Sequence, residues 1–233
     1  MIPARAGSKR VTGKNVRPFM GVPLVVWSVR AALTSSLVDR VVVSTDDAQV
    51  VAAVEGYPVT VMPRPADLAT DTASTDDVLA DVDRTLGGAA GGPELMVLLQ
   101  ATSPLREQGL VDTAVERMRQ APEAARLVEV THQALFTGRV AGGWWDPAFP
   151  EDTRSQDLPA LWYPTGRLYV YRCGAWFESA AAREERALAL EAPRDRCINI
   201  DHESDFLWAE HVYRRFHSEY AFLESPADRS SRH

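Results

Sequence analysis

The sequence has little cysteine and no long hydrophobic run. Its two cysteines, Cys173 and Cys197, lie in neither a CxxC nor a cysteine–histidine metal spacing. No apolar stretch approaches the roughly 18 residues that a membrane-crossing helix needs, and no charged segment followed by an apolar one opens the chain. We therefore expect a soluble, cytoplasmic protein with reduced thiols and no membrane partner.

The sequence also lacks an excess of positive charge. It has 32 acidic against 25 basic residues, which gives a formal net charge of -7 at pH 7. This is the wrong sign for a general binder of nucleic acid or of acidic membranes, so any anionic ligand must meet a local basic site. Lysine is scarce as well: Lys9 and Lys14 are the only two, and the other basic residues are arginine.

Length and composition indicate one folded unit. The chain has 233 residues, of which 45% are hydrophobic, and about 100–200 residues is the usual size of a domain. We expect a single domain over residues 1–224 and a flexible tail over residues 225–233. An arm is expected at about residues 138–164, where the pattern changes to glycine and tryptophan without a helical period.

Short valine-rich runs alternate with longer segments of helical period along the chain. This alternation is typical of an α/β fold with a mostly parallel central sheet and crossover helices. The apolar runs predict strands at residues 40–44, 95–100, 126–130, 167–171 and 196–200. The periodic segments predict helices at residues 23–35, 48–54, 75–86 and 107–120, and from residue 203 toward residue 220.

The first candidate site follows a very short first strand. Residues 2–10 read Ile-Pro-Ala-Arg-Ala-Gly-Ser-Lys-Arg, and residues 13–15 read Gly-Lys-Asn. Turn amides, guanidinium and ammonium groups in such a segment would stabilise phosphate oxygens. The segment matches neither GxGxxG nor GxxxxGK[ST], and a basic surface turn would have the same composition.

Three further polar blocks follow along the chain. Residues 44–47, Ser-Thr-Asp-Asp, end a predicted strand, and we favour their interpretation as a helix N-cap. Residues 64–75 combine one arginine with many small hydrogen-bonding side chains, which suits recognition of a polar base and ribose. Residues 99–106 read Leu-Gln-Ala-Thr-Ser-Pro-Leu-Arg and follow another buried strand. Ligands bind beyond the carboxyl ends of strands in open α/β sheets, so the strand-end blocks are candidates for a common site.

Together the four blocks resemble, in order and spacing, the cytidylyltransferases that make CMP-sialic acid and related CMP-activated acidic sugars. Arg-Ser-Gln-Asp-Leu-Pro at residues 154–159 and Asn-Ile-Asp-His-Glu-Ser-Asp-Phe at residues 199–206 continue the match. The resemblance implies a Rossmann-like nucleotidyltransferase sandwich, a CTP-dependent enzyme, and a homodimer in which the arm closes over the neighbouring subunit. A non-catalytic nucleotide-binding paralogue is the alternative.

The resemblance also assigns residues to roles. Arg5, Lys14 and Gln100 would be the catalytic residues, with Gln100 facing the acceptor. CTP would be bound by Arg5, Ser8, Lys14, Asn15, Arg64, Ala73 and Thr75. The acceptor would be bound by Gln100, Arg154, Gln156, Arg167 and Tyr169. Mg²⁺ would be held by Asp201 and Asn199, where Asn199 replaces the first aspartate of the family's Asp-x-Asp and leaves a single anionic ligand.

The acceptor-side motifs depart from those of sialic-acid enzymes. Ser155 stands where those enzymes have a second arginine, and Thr165-Gly166-Arg167 stands where they have Asn-Gly-Ala. Arg167 adds a cation that an acidic sugar does not require, which favours a small phosphonate of a natural-product pathway as the acceptor. A nonulosonic acid, meaning pseudaminic, legionaminic or sialic acid, is the alternative acceptor.

Overall fold

The structure is a computed structural model that describes residues 1–178 and 187–224, so the expected tail at residues 225–233 lies outside the described residues. The strands are β1 (Ile2–Pro3), β2 (Pro18–Phe19), β3 (Val22–Pro23), β4 (Val42–Thr45), β5 (Thr60–Pro63), β6 (Leu95–Leu98), β7 (Arg126–Ala134), β8 (Gly138–Ala141), β9 (Trp144–Pro147), β10 (Ala160–Arg172) and β11 (Leu188–Glu191). The helices are α1 (Leu24–Thr34), α2 (Ala48–Ala53), α3 (Thr75–Thr85), α4 (Leu110–Gln120), α5 (Ala175–Glu178), α6 (Glu203–Arg215) and α7 (His217–Tyr220).

Two sheets meet at the first residue of the chain. One has the order β1-β4-β5 and is parallel throughout. The other has the order β11-β7-β10-β6, in which β11 and β7 are parallel and β10 is antiparallel to both of its neighbours. The Met1 amino group donates to Val97 O at 2.8 Å, and Met1 O accepts from Leu99 N at 3.0 Å. These bonds join the two sheets, so the predicted α/β architecture is confirmed, with antiparallel pairing on both sides of β10.

The main core lies between the sheets and the helices packed on them. Ile2, Val43 and Leu127 come from strands of both sheets, and they belong to one buried cluster with Leu99, which follows β6, and with side chains of α1 and α4. All of α1 except Thr34 is buried, because its other face packs on the cluster that includes side chains of α6. A helix that is apolar on all sides is stable only when it is covered on both faces.

Most of the predicted elements are present. The strands predicted at residues 40–44, 95–100, 126–130 and 167–171 correspond to β4, β6, β7 and β10. The strand predicted at residues 196–200 is wrong. This segment starts at the last residue of a short 3-10 turn, Arg194–Arg196, and it continues without strand pairing. Its apolar alternation has another cause, since Ile198 and Ile200 are buried in the cluster under α6.

The expected arm is β structure. It consists of the antiparallel hairpin β8–β9 and the first part of β10, which pairs with the end of β7 through Trp162 and His132. The register shifts between Pro164 and Tyr169, where β10 passes from the arm into the central sheet. The arm is therefore continuous with the sheet, and its hairpin side chains are exposed.

The structure also bears on two expectations, that of reduced thiols and that of no membrane partner. Cys173 and Cys197 form no disulfide, and burial raises the pKa of these thiols to about 12 and about 11. Such thiols stay protonated and unreactive near neutral pH. Within the described ranges, every helix is too short or too polar to cross a membrane.

The polar block at the end of β4 contains a helix cap, as the sequence favours. Asp47 precedes α2, and its Oδ1 accepts from Gln49 N at 2.9 Å. This bond satisfies one of the backbone donors that have no partner within the first turn of a helix.

We predict that Asp47→Ala lowers the free energy of unfolding by about 1 kcal/mol, because the cap is lost. Asp47→Asn keeps a capping oxygen and should stay close to the parent protein. Urea denaturation of the three proteins measures the difference. Equal unfolding midpoints for the alanine variant and the parent would contradict the role of this cap.

Candidate active site

A polar cleft of about 520 Å³ lies where the segments following β1, β5 and β6 meet. Carboxyl ends of neighbouring strands are the usual place for a ligand site in this fold class. The cleft is lined by all residues expected to bind CTP, namely Arg5, Ser8, Lys14, Asn15, Arg64, Ala73 and Thr75, and by Gln100, Asn199 and Asp201. The structure therefore brings together, within one cavity, residues that are up to two hundred positions apart in sequence.

The loop after β1 is fixed by the end of β4. Thr45 Oγ1 donates to Ala4 O at 2.5 Å, and Ala6 N donates to Asp46 Oδ1 at 2.7 Å. Asp46 thus orients the loop that presents Arg5 and does not itself line the cleft. Asn15 adds a third bond, since its Nδ2 donates to Arg5 O at 3.0 Å.

Lys14 connects the start of the chain to the segment before α6. It begins the 3-10 turn Lys14–Val16, and its Nζ donates to Ile200 O at 2.8 Å and to Asp201 Oδ1 at 3.0 Å. Its side chain is only 11% exposed. The ammonium group is therefore held at one place in the wall of the cleft, with a donor position left for a ligand.

Arg64 is held even more firmly. Its Nη2 donates to Ser44 O at 2.9 Å and its Nε to Ser44 Oγ at 3.3 Å, while its backbone N donates to Thr45 O. Burial lowers the pKa of Arg64, and the carboxylate of Asp46 acts in the opposite direction. The guanidinium is thus a rigid donor in the wall of the cleft, which fits the expected recognition of a base.

Asp71 lies inside the cleft between two cations. Arg5 Nη2 donates to Asp71 Oδ1 at 2.6 Å, and Lys9 forms an ion pair with the other carboxylate oxygen. The hydrogen bonds from Lys9 and Arg5 hold the pKa of Asp71 below its ordinary value. Neither Lys9 nor Asp71 is among the expected site residues. The scarcity of lysine and the aspartate within residues 64–75 are the sequence signals that point to them.

The cleft is strongly positive within an acidic chain. Arg5, Lys9, Arg10, Lys14 and Arg64 line it, against the carboxylates of Asp71 and Asp201. Fixed cations around one cavity favour a ligand with several negative charges, because they need no reorganisation when it binds. The geometry thus favours a polyphosphate held beside a polar base.

Comparison with known proteins decides the family. The family profile described as "Cytidylyltransferase" matches residues 1–147. The chain belongs to the cytidylyltransferase family. It is accordingly a CTP-dependent nucleotidyltransferase.

Three relatives illustrate the likeness of this cytidylyltransferase to known proteins. The pseudaminic acid cytidylyltransferase of Campylobacter jejuni is 28% identical over 93% of this chain and 96% of its own. An N-acylneuraminate cytidylyltransferase of Streptococcus agalactiae is 29% identical over 96% of this chain and 54% of its own. The solved structure of a CMP:2-keto-3-deoxy-manno-octonic acid synthetase complexed with CTP has a TM-score of 0.64 at 19% identity and covers 92% of this chain and 97% of its own. At that identity the last likeness supports the fold alone.

The expected metal ligands of the cytidylyltransferase lie side by side. Asn199 Nδ2 donates to Asp201 Oδ2 at 3.4 Å, and Asp201 also pairs with Lys14 and with Arg10 at 3.8 Å. Within the described residues, no group of three or more histidine, cysteine, aspartate or glutamate side chains could hold a metal ion. Mg²⁺ is often held by one or two carboxylates together with substrate phosphates. One carboxylate and one amide carbonyl fit Mg²⁺ on condition that phosphate oxygens complete its coordination.

The expected acceptor-binding residues other than Gln100 do not line the cleft. Arg154 pairs with Asp157 at 2.6 Å on the exposed turn that also carries Gln156. Tyr169 stacks on Tyr171 with ring centroids 6.4 Å apart, and burial raises the pKa of its hydroxyl. Within one chain, Arg154 and Tyr169 therefore have local partners of their own.

Arg167 differs most from its expected role. Its side chain has no exposed surface, its Nη1 donates to Glu107 Oε1 at 3.1 Å, and its Nη2 lies 3.1 Å from Glu129 Oε1. A guanidinium that already shares two carboxylates is not a free cation for an anionic acceptor. The expectation took Arg167 as a cation for the acceptor, whereas its guanidinium is buried against Glu107 and Glu129.

We predict that Lys14→Ala lowers kcat/KM on the order of a hundredfold or more, because a fixed cation for the phosphates is lost. Lys9→Ala should have a much smaller effect, since the Lys9 side chain is 75% exposed at the rim. Pyrophosphate release and calorimetric CTP binding measure the two variants. Turnover by Lys14→Ala as fast as by the parent would contradict the assignment.

Proposed function

We propose that the protein transfers CMP from CTP to a nonulosonic acid and releases pyrophosphate, with pseudaminic acid as the first candidate acceptor. The observation that carries the proposal is the single positive cleft, in which every residue expected to bind CTP lies beside Gln100. Pseudaminic acid is chosen because the Campylobacter relative of that name matches over nearly the whole length of both chains.

The reaction is an in-line displacement at the α-phosphorus. A hydroxyl oxygen of the acceptor bonds to the phosphorus as the bond to pyrophosphate breaks, and the hydroxyl proton passes to water. Arg5 and Lys14 stabilise the charge that grows on the α-phosphate and on the leaving group, and the cleft holds both reactants in position. Asp46 accepts a hydrogen bond from Ala6 N, and Asp47 caps α2, so neither takes part as a base.

The burial of Arg167 supports the choice of acceptor class. The sequence favours a phosphonate through the additional cation of Arg167, but Glu107 and Glu129 share that guanidinium. Without that cation, no observation favours a phosphonate over a nine-carbon acidic sugar. Both curated relatives compared above are named for nine-carbon acidic sugars.

Asp201 and the Asn199 carbonyl oxygen would hold Mg²⁺ together with oxygens of the triphosphate. When bound, the ion would neutralise charge on the phosphates. Lys14 Nζ lies 3.0 Å from Asp201 Oδ1, so the carboxylate that would hold the ion also positions the ammonium group.

Incubation with CTP, Mg²⁺ and one acceptor at a time tests the proposal. We expect pyrophosphate release with pseudaminic acid, weaker release with legionaminic or sialic acid, and none with a small phosphonate such as 2-hydroxyethylphosphonate. Removal of Mg²⁺ with EDTA should stop the release. Release with the phosphonate alone would replace the proposed acceptor by the other class, and Lys14→Ala serves as the inactive control.

We further propose that the arm packs against a second copy of the chain. Exposed large apolar side chains concentrate there: Leu135, Phe136, Val140, Trp144, Trp145, Leu161, Trp162 and Tyr163. Trp144 is 81% and Val140 is 74% exposed. A concentration of exposed apolar side chains, several of them aromatic, is typical of a protein interface.

We predict that the protein sediments as a dimer and that Trp144→Glu shifts it to the monomer, because a charge is placed in the buried face. Trp208→Glu is the matched control, since Trp208 is 54% exposed on α6, away from the arm. Analytical ultracentrifugation at several concentrations measures both variants. A monomeric parent protein, or dissociation by the control alone, would contradict the proposed interface.

A further inference from the structure

A buried ion-pair cluster lies behind Gln100. It consists of two guanidinium groups, Arg106 and Arg167, and two carboxylates, Glu107 and Glu129. Arg106, Arg167 and Glu129 have no exposed surface. Burial lowers the pKa of Arg106 to about 9 and raises that of Glu129. Because burying charged groups yields little net stability, such a cluster points to a need for fixed geometry.

Arg106 binds two backbone carbonyls from different strands. Its Nη2 donates to Gln100 O at 2.9 Å and to Arg167 O at 2.7 Å, and its Nε donates to Arg167 O at 3.0 Å. Its Nη1 donates to Ser28 Oγ at 2.9 Å. One rigid guanidinium therefore fixes the end of β6 relative to β10.

The carbonyl of Gln100 is bound from several sides. Besides Arg106, it accepts from Ser28 Oγ at 3.2 Å and from Ser103 N at 3.2 Å. Three donors thus converge on the carbonyl of the residue that is expected to face the acceptor. The backbone of Gln100 is thus held while its side chain remains in the cleft.

Gly166 connects the ion-pair cluster to the cleft. It precedes Arg167 and has φ +77, a conformation that glycine adopts without strain. A Cβ atom at this position would lie 3.3 Å from Gln100 Oε1 and 3.5 Å from Asn199 Nδ2. The glycine is therefore the surface against which both side-chain amides rest.

We propose that Arg106 and Arg167 are positioning residues for the acceptor side of the reaction, with Gly166 as the surface that sets the places of the Gln100 and Asn199 amides. Arg167, held by Glu107 and Glu129, fixes the strand segment that carries Gly166, and Arg106 fixes that segment to Gln100. The inference rests on the proposed function for its kinetic test, and it has a second test that does not.

The kinetic test compares Arg106 with Arg172, because both side chains donate hydrogen bonds to backbone carbonyls. Arg106→Lys keeps the charge but cannot bind both carbonyls and Ser28. We expect kcat/KM for pseudaminic acid to fall on the order of tenfold to a hundredfold, while KM for CTP stays within about twofold. Arg172→Lys is the control, because Arg172 also lies on β10 and donates to Met118 O and Ala121 O. It should lower thermal stability comparably without the selective loss in acceptor kinetics.

The second test needs no acceptor. The side-chain amide signals of Gln100 and Asn199 are assigned in a ¹⁵N–¹H spectrum by their loss in the corresponding alanine variants. Gly166→Ala and Arg106→Lys should both shift these signals. Gly174→Ala is the matched control: it has φ +76, so its backbone strain is the same, but a Cβ atom there meets no described atom within 4 Å.

The outcomes separate the inference from the proposed function. An unmodified protein that releases no pyrophosphate with pseudaminic acid would refute that acceptor, and the amide signals would still decide the positioning roles. Unshifted signals in Gly166→Ala and Arg106→Lys, or equal shifts in Gly174→Ala, would overturn the inference. So would a loss in Arg106→Lys that falls equally on CTP and the acceptor, since that is the result of a purely structural role.

Discussion

The cleft depends on holding like charges close to one another. Arg5 and Lys9 share the carboxylate of Asp71, and Lys14 and Arg10 share that of Asp201. These two carboxylates offset the repulsion among the cations. Under the proposed function, a triphosphate would take over the same donors, because it presents more charge and more acceptor oxygens than either carboxylate.

Cations can be held this close together only on a rigid backbone. Buried polar groups make the backbone rigid on both sides of the cleft. On the nucleotide side, Ser44, Thr45 and Asp46 bind the loop after β1 and the Arg64 guanidinium. On the opposite side, Arg106 and Arg167 do the same for the ends of β6 and β10. Most polar atoms of the two networks are hydrogen-bonded, which offsets the cost of removing them from water; Arg167 Nε and Glu129 Oε1 are exceptions. The side chains that line the cleft are therefore supported by polar residues, such as Thr45 and Arg106, that do not line it.

The sequence predicted β4 and β6 because their runs are apolar and largely buried, but it did not predict β5 or β11. Both missed strands have only four residues, Thr-Val-Met-Pro and Leu-Ala-Leu-Glu, and their positions are half-buried or exposed. Neither is a long apolar run that stands out from the sequence around it. The false strand at residues 196–200 has the opposite cause. Ile198 and Ile200 alternate as in a strand, but they pack beneath α6 without pairing. Periodicity reports which residues are buried, and it does not report what covers them.

The sequence by itself determined the fold class and the residues expected to bind CTP, all of which line the positive cleft, because they lie in segments that follow β1 or β5. It did not identify Lys9 or Asp71 as residues of the cleft. The tertiary structure alone decided which cations are free. Arg167 meets Glu107 across 60 positions of sequence, and Arg5 meets Asp71 across 66. Tertiary packing determines whether a charged side chain faces the cleft or a buried counter-charge. The local sequence does not identify that neighbour.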